Sequence, residues 1–98
     1  MAELNIAIAE DNPLMLELLS SILEAENGFQ VVGTADNGED AYQMIMDKKP
    51  DIVLLDVIMP KLDGITVLEK VRAANIGKDM PAVIMVTAAG NETVASAA

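Results

Sequence analysis

Carboxylates follow two apolar runs of the chain, and they are the residues best suited to chemistry. Glu10 and Asp11 come directly after the apolar run 6–9, and Asp56 comes directly after the apolar run 52–55. A carboxylate at the end of a buried strand adds nothing to a hydrophobic core. If the two runs are neighbouring strands of one parallel sheet, the three carboxylates converge, and they must then bind a cation or repel one another.

The amino-acid composition limits which cation such a cluster can hold. The 98 residues contain no Cys and no His, which excludes disulfides, thiolate ligands and imidazole ligands. Carboxylate and carbonyl oxygens remain, and these favour Mg²⁺, with Mn²⁺ or Ca²⁺ as alternatives. We expect Asp11 and Asp56 to bind the ion directly and Glu10 to hold a coordinated water. The backbone carbonyl of Ile58 can complete the shell.

Phosphoryl transfer is the chemistry that this arrangement favours. A bound cation offsets the repulsion between Asp56 and an incoming phosphoryl group, so that Asp56 can become an aspartyl phosphate. Thr87, after a fourth apolar run, can hydrogen-bond a phosphoryl oxygen. Each residue alone has a simpler interpretation: Asp11 as a helix cap, Glu10 as solvated surface, Thr87 as ordinary strand content. The combination carries the hypothesis.

Charge and hydropathy exclude several other classes of function. The net charge of −10 argues against direct binding of nucleic acid or anionic lipid by this segment. No apolar stretch approaches the roughly 20 residues of a membrane span, and no charged-then-apolar leader opens the chain. A cytoplasmic location is the simplest expectation. Only one Phe and one Tyr are present, so the core must be aliphatic, with the seven Met as filler.

The elements that must position the carboxylates alternate between strand and helix. This order and the near-continuous apolar strands predict an α/β fold, a doubly wound parallel sheet covered by helices on both faces. We expect the flavodoxin-like strand order 2-1-3-4-5, one of the common orders of such sheets. In that order strands one and three flank the point of reversal, where ligands bind. The predicted strands cover 5–9, 29–35, 52–56 and 82–86, and helices begin at Pro13, about Glu39, Gly64 and Glu92.

The helix signals are uneven in strength. Asp11 or Asn12 can cap the first helix, which Asn27-Gly28 closes. Its apolar stripe is predicted at Met15, Leu18, Leu19 and Ile22, and Leu16 and Leu23 widen it. Asn37 and Asp40 are spaced like a capping box. The chain stops inside the helix that begins at Glu92, without a stop signal. We therefore expect an incomplete domain that lacks its last strand and helix and leaves the fourth strand as an apolar edge.

Four motifs follow one another over nearly the whole chain, 1–98. They are Ala9-Glu10-Asp11-Asn12, Leu54-Leu55-Asp56-Val57-Ile58-Met59-Pro60, Leu62-Asp63-Gly64 and Val86-Thr87-Ala88. In sequence and in order, these motifs resemble the receiver domain of two-component response regulators. The segment 56–64, followed by Val67-Leu68-Glu69, is similar to the regulators that start sporulation in endospore-forming Firmicutes.

The resemblance implies a signalling domain rather than a turnover enzyme. It makes Asp56 the phosphoacceptor, Glu10, Asp11 and Asp56 the Mg²⁺ site, and Thr87 the switch hydroxyl. It implies a histidine kinase or phosphohistidine phosphotransferase as donor, possible homodimers, and DNA binding only through a separate domain downstream. The family's active-site Lys-Pro pair after strand five has no counterpart here, since the last basic residue is Lys78.

Three alternative functions fit the same fold. A flavin carrier needs a phosphate-binding loop rich in Ser, Thr and Gly, whereas the loop here begins Glu10-Asp11 and would repel the flavin phosphate. A phosphohydrolase with an aspartyl nucleophile usually has a second Asp two residues later, where this chain has Ile58. A phosphorylation-independent interaction module would keep the fold without affinity for Mg²⁺.

Overall fold

The computed structural model describes residues 3–59, 61–74 and 76–86. The four strands of this part form one parallel sheet of order β2-β1-β3-β4, which confirms the predicted α/β class and strand order as far as the fourth strand. The elements are β1 (Leu4–Ala9), α1 (Pro13–Glu24), β2 (Phe29–Ala35), α2 (Gly38–Lys48), β3 (Ile52–Asp56), α3 (Gly64–Ala73), a 3-10 helix (Gly77–Asp79) and β4 (Ala82–Val86).

The strand register decides which residues leave the sheet side by side. Ala9 of β1 is paired with Ala35 of β2 and with Leu55 of β3, so these strands reach the same edge together. Asp56 is in turn paired with Val86 of β4. The register of β1 and β2 shifts after Ile6, where the partner advances from Val31 to Gly33. Residues that follow the strands are therefore gathered at one carboxyl edge.

The main core lies between the sheet and the helices α2 and α3. It is aliphatic, as the composition predicts, and Met44, Met59 and Met85 fill part of it. Small residues on β1 and α2 allow the two elements to approach closely, because Ala7, Ala9 and Ala41 are all buried. The other buried members of this core are Ala35, Ile45, Val53, Leu55, Val67, Leu68 and Val71.

Helix α1 covers the opposite face of the sheet incompletely. Ile6 and Ile8 of β1 are buried, yet no residue of α1 is buried. The predicted apolar stripe is wrong at two positions, because Leu18 and Ile22 are 54% and 52% exposed. The half-buried residues are Met15 and Leu19 of the predicted stripe, together with Leu16 and Leu23, which were predicted to widen it. Apolar residues occupy two adjacent rows of this helix, and spacing alone does not choose between them.

The three α-helices of the described residues begin with side-chain caps near the carboxyl edge of the sheet. Asn12, rather than Asp11, caps α1 and accepts hydrogen bonds from the backbone N–H groups of Leu14 and Met15. Asn37 caps α2, and Asp63 caps α3. Helix α2 begins one residue earlier than predicted, and α1 ends at Glu24, before Asn27-Gly28. Among the described residues, no helix is both long and apolar enough to cross a bilayer.

Candidate functional site

The three predicted carboxylates meet at the carboxyl edge of β1 and β3. One carboxylate oxygen each from Glu10, Asp11 and Asp56 lie within 4.8 Å of one another. Glu10 and Asp56 are buried, each with 4% of its surface exposed, whereas Asp11 is exposed. The convergence inferred from the two apolar runs is therefore present. The interpretation of Glu10 as solvated surface is wrong.

Backbone pairing beyond the strand holds Glu10 in place. Its N–H donates to the carbonyl oxygen of Ala35 at 2.9 Å, which carries the β1–β2 pairing one residue past the end of β1. Its carboxylate accepts a hydrogen bond from the backbone N–H of Asn12 at 3.1 Å. Asn12 also caps α1, so a single residue connects the start of the helix with the buried carboxylate. The sequence-based prediction considered Asn12 only as a cap.

The loop after β3 closes directly on Asp56. The Asp56 carboxylate accepts a hydrogen bond from the backbone N–H of Ile58 at 3.3 Å. The N–H of Gly64 donates to the Val57 carbonyl at 2.8 Å, so the start of α3 returns to the end of β3. A Cβ at Gly64 would lie 3.0 Å from the Asp56 carbonyl carbon and closer still to its oxygen. Only glycine, which has no Cβ, allows α3 to begin this near the backbone carbonyl of Asp56.

Burial and like charge act in the same direction on the two buried carboxylates. Desolvation raises the pKa of Glu10, and the charges of Asp56 and Asp11 raise it further, against the hydrogen bond from Asn12. Desolvation likewise raises the pKa of Asp56, and the charge of Asp11 adds to this, against the hydrogen bond from Ile58. Within the described residues, no Lys or Arg forms an ion pair with these carboxylates.

These features fit a hard divalent cation. The donors are all oxygens, as Mg²⁺ requires, and a cation would compensate both the burial and the repulsion of the carboxylates. Ile58 lines the same pocket, next to Asp56. The pocket is lined by Glu10, Asp11, Asn12, Pro13, Leu14, Asp56 and Ile58. Thr87, the predicted switch hydroxyl, lies outside the described residues, so its role stays a prediction.

The fold agrees with comparisons to known proteins. The family model of the response regulator receiver domain matches residues 6–98, and the chain therefore belongs to that family of signalling domains. Its fold, a parallel sheet of order 2-1-3-4 with flanking helices, is the flavodoxin-like receiver fold.

Solved receiver structures resemble the chain closely. The receiver domain of the response regulator NarL from Mycobacterium tuberculosis is 30% identical with a TM-score of 0.83, over 93% of this chain and 71% of that one. The response regulator domain of Thermotoga maritima CheB is 30% identical with a TM-score of 0.80, over 95% and 66%. A chain of the CheX-CheY-BeF3-Mg²⁺ complex from Borrelia burgdorferi is 34% identical with a TM-score of 0.80, over 93% and 66%. The protein thus spans about two thirds of the length of the latter two chains.

Proposed function

We propose that the domain accepts a phosphoryl group on Asp56. In this proposal Glu10, Asp11, Asp56 and the backbone carbonyl of Ile58 hold Mg²⁺, with Mn²⁺ or Ca²⁺ as possible substitutes. The observation that carries the proposal is the convergence of three carboxylates, two of them buried, with oxygens within 4.8 Å of one another. A buried cluster of like charges lowers the stability of the fold. Such a cluster is expected at a functional site that binds a cation together with an anionic group.

The transfer step needs little from the protein except position and charge. A carboxylate oxygen of Asp56 forms a bond to phosphorus while the bond from phosphorus to the donor's imidazole nitrogen breaks, and the nitrogen keeps the electron pair. The backbone N–H of Ile58, at 3.3 Å, orients the Asp56 carboxylate for this attack. Mg²⁺, when bound, would supply positive charge next to the oxygens of the transferred phosphoryl group. The Thr87 hydroxyl then donates a hydrogen bond to a phosphoryl oxygen.

The donor and the pathway are parts of the same proposal. A phosphohistidine phosphotransferase or a histidine kinase supplies the phosphoryl group in the cytoplasm. The similarity of segment 56–64 to regulators that start sporulation favours a phosphorelay that controls transcription at that step. A separate DNA-binding domain then delivers the output, and phosphorylation favours homodimers. The 34% identical Borrelia chain was solved in a complex with BeF3 and Mg²⁺, which supports the same ligands here.

Phosphorylation of the full-length protein tests the proposal. With acetyl phosphate or a phosphohistidine donor, we expect a Mg²⁺-dependent mass gain of one phosphoryl group that Asp56→Ala abolishes. Asp47→Ala is the matched control, since Asp47 is an exposed carboxylate on α2. Phosphorylation of Asp56→Ala at the wild-type rate would exclude Asp56 as the acceptor. Chelation with EDTA should abolish the reaction of the wild-type protein.

The alternative is a phosphorylation-independent interaction module on the same receiver fold. In such a module the sheet and the helices are intact, but the carboxylate cluster binds no cation. Calorimetric titration separates the two candidates, because the module would fold fully and show no heat of Mg²⁺ binding.

A further inference from the structure

Helix α2 begins in direct contact with the loop that follows Asp56. A Cβ at Gly38, the first residue of α2, would lie 2.5 Å from the carbonyl carbon of Leu62 and closer still to its carbonyl oxygen and Cβ. Real Cβ atoms do not approach other atoms within 3.0 Å. Gly38 does not have a positive φ, so space rather than backbone conformation requires a glycine here.

Hydrogen bonds hold the Gly38 side of this contact more firmly than packing holds the Leu62 side. The position of Gly38 is fixed by Asn37, a buried residue whose side chain accepts from the N–H of Asp40 and donates to the carboxylates of Asp36 and Asp40. Leu62 is half-buried and packs against the main core. A methyl group at Gly38 would therefore displace the backbone of Leu62, because the opposing atoms are backbone rather than a flexible side-chain end.

The backbone of Leu62 is closely connected to the carboxylate cluster. The described residues of the β3–α3 loop are 57–59 and 61–63, and the loop begins at Asp56 and ends where Gly64 contacts the Asp56 carbonyl. Both ends are fixed, because the N–H of Val57 donates to Val86 at 3.0 Å and the N–H of Gly64 donates to Val57. A displacement of Leu62 must then be absorbed inside the loop, which contains Ile58.

The segment before α2 also supports the other acidic loop. The Ala35 carbonyl accepts from the N–H of Glu10 at 2.9 Å, and Gly38 follows three residues later. Residues 35–38 therefore contact both loops that carry the carboxylates, Glu10 through Ala35 and the β3–α3 loop through Gly38. Neither Ala35 nor Gly38 offers a group that binds a cation or a phosphoryl group through its side chain.

We infer that Gly38 is a positioning residue for the phosphoacceptor site, acting through the backbone of Leu62. The inference rests on the proposed function, since it concerns the same cluster. The close approach of α2 holds the β3–α3 loop where Asp56 and Ile58 can share one cation with Glu10 and Asp11. Residues outside the ligand set that orient metal ligands typically change metal affinity by about 10- to 100-fold when they are mutated.

Calorimetric titration of the full chain with Mg²⁺, alongside thermal unfolding without Mg²⁺, tests the inference. We expect Gly38→Ala to bind Mg²⁺ about tenfold more weakly than the wild type. Gly28→Ala is the control, because Gly28 has a φ of +98° and no atom within 4 Å of an added Cβ. Its strain should lower the unfolding midpoint while Mg²⁺ affinity stays at the wild-type value. That contrast separates positioning from a general loss of stability.

A second variant approaches the contact from the loop side. Leu62→Gly removes the Leu62 Cβ that faces Gly38, and we expect a similar loss of Mg²⁺ affinity; this variant decides the matter if Gly38→Ala does not fold. Wild-type Mg²⁺ affinity in the folded variants would overturn the inference and leave the proposed function intact. Absence of Mg²⁺ binding by the wild type would overturn the proposed function and the inference with it.

Discussion

Glu10 and Asp56 lie at buried positions, where a charged carboxylate lowers the stability of the folded state. Each has 4% of its surface exposed, and each has a pKa raised first by burial and then by neighbouring negative charge. Removing a charge from water without pairing it is unfavourable, so stability does not explain these residues. Sites that break the rules of stable folding are expected to be functional. The two residues thus support the proposed cation site on energetic grounds as well as by proximity.

A charge-neutralising substitution should therefore stabilise the protein in the absence of divalent cations. We expect Asp56→Asn to raise the thermal midpoint at pH 7 in EDTA by several degrees, since the amide keeps the shape and removes the charge. Urea unfolding of the same samples should give the same order. Asp47→Asn, on the exposed side of α2, should leave the midpoint nearly unchanged. An apo Asp56→Asn protein less stable than the wild type would contradict the electrostatic account.

The stability difference between Asp56→Asn and the wild type should depend on pH, in a direction set by the pKa shift of Asp56. Because folding raises the pKa of Asp56 above its ordinary value of 3.8, the folded state binds more protons than the unfolded state between the two values. The penalty is complete above the folded pKa and disappears as the pH falls through it towards 3.8. We expect the advantage of Asp56→Asn, measured by urea unfolding without divalent cations, to be constant above the folded pKa and smaller at pH 4 than at pH 7.

At the scale of the elements, the sequence predicts strands better than helix faces. The bounds of β2, β3 and β4 match the apolar runs, and β1 differs by one residue, Leu4. The buried face of the first helix was harder to predict, because the apolar residues of this helix form two adjacent rows. The half-burial of Met15 and Leu19, rather than periodicity, shows that their row faces the sheet. Capping was predictable, since Asn12 and Asn37 precede the helices that they cap.

The two rows of α1 should respond differently to a polar substitution. Leu18→Gln changes a side chain that is 54% exposed, so we expect a change of less than about 0.5 kcal/mol in the free energy of unfolding. Leu19→Gln changes a half-buried residue and should cost roughly 1 kcal/mol or more. Urea unfolding of both variants checks the order. The reverse order would mean that the row of Leu18 is covered in solution.

The cap of α2 should contribute measurably to stability. Asn37→Ala removes the acceptor for the N–H of Asp40 and the donor to Asp36 and Asp40, so we expect a loss of about 1–2 kcal/mol. Asn27→Ala is the control, since Asn27 is exposed and caps no helix of the described residues. Chemical denaturation gives both values. Equal losses in the two variants would show that the Asn37 network adds nothing beyond a surface amide.

At the scale of the molecule, topology rather than any local signal assembles the carboxylate cluster. The order β2-β1-β3-β4 makes β1 and β3 neighbours, and their register places Ala9 beside Leu55, so the residues that follow them must meet. Alternation of strand and helix predicts a parallel sheet, and the assumed flavodoxin-like order, which the structure confirms as far as the fourth strand, makes strands one and three neighbours. The burial of Glu10 was not predictable, because it depends on a pairing with Ala35. The contact between Gly38 and Leu62 is equally non-local.

Cation binding at the cluster should stabilise the whole domain, because only the folded topology brings the three carboxylates together. A ligand that binds the native state alone adds about 2.7 kcal/mol at 100 times its dissociation constant. We expect Mg²⁺ to raise the thermal midpoint of the wild type in a saturable way, with Mn²⁺ acting similarly. The affinity should be weak, since Mg²⁺ keeps several waters when few carboxylates bind it.

A non-specific effect of salt must be separated from binding, since the net charge of −10 makes any cation stabilising. Asp11→Asn and Asp47→Asn remove the same charge from exposed carboxylates, but only Asp11 belongs to the cluster. Asp11→Asn should lose most of the Mg²⁺-dependent gain, and Asp47→Asn should keep it. Equal gains in both variants and the wild type would mean that Mg²⁺ acts on the overall charge of the domain, and the cluster would then not be a cation site.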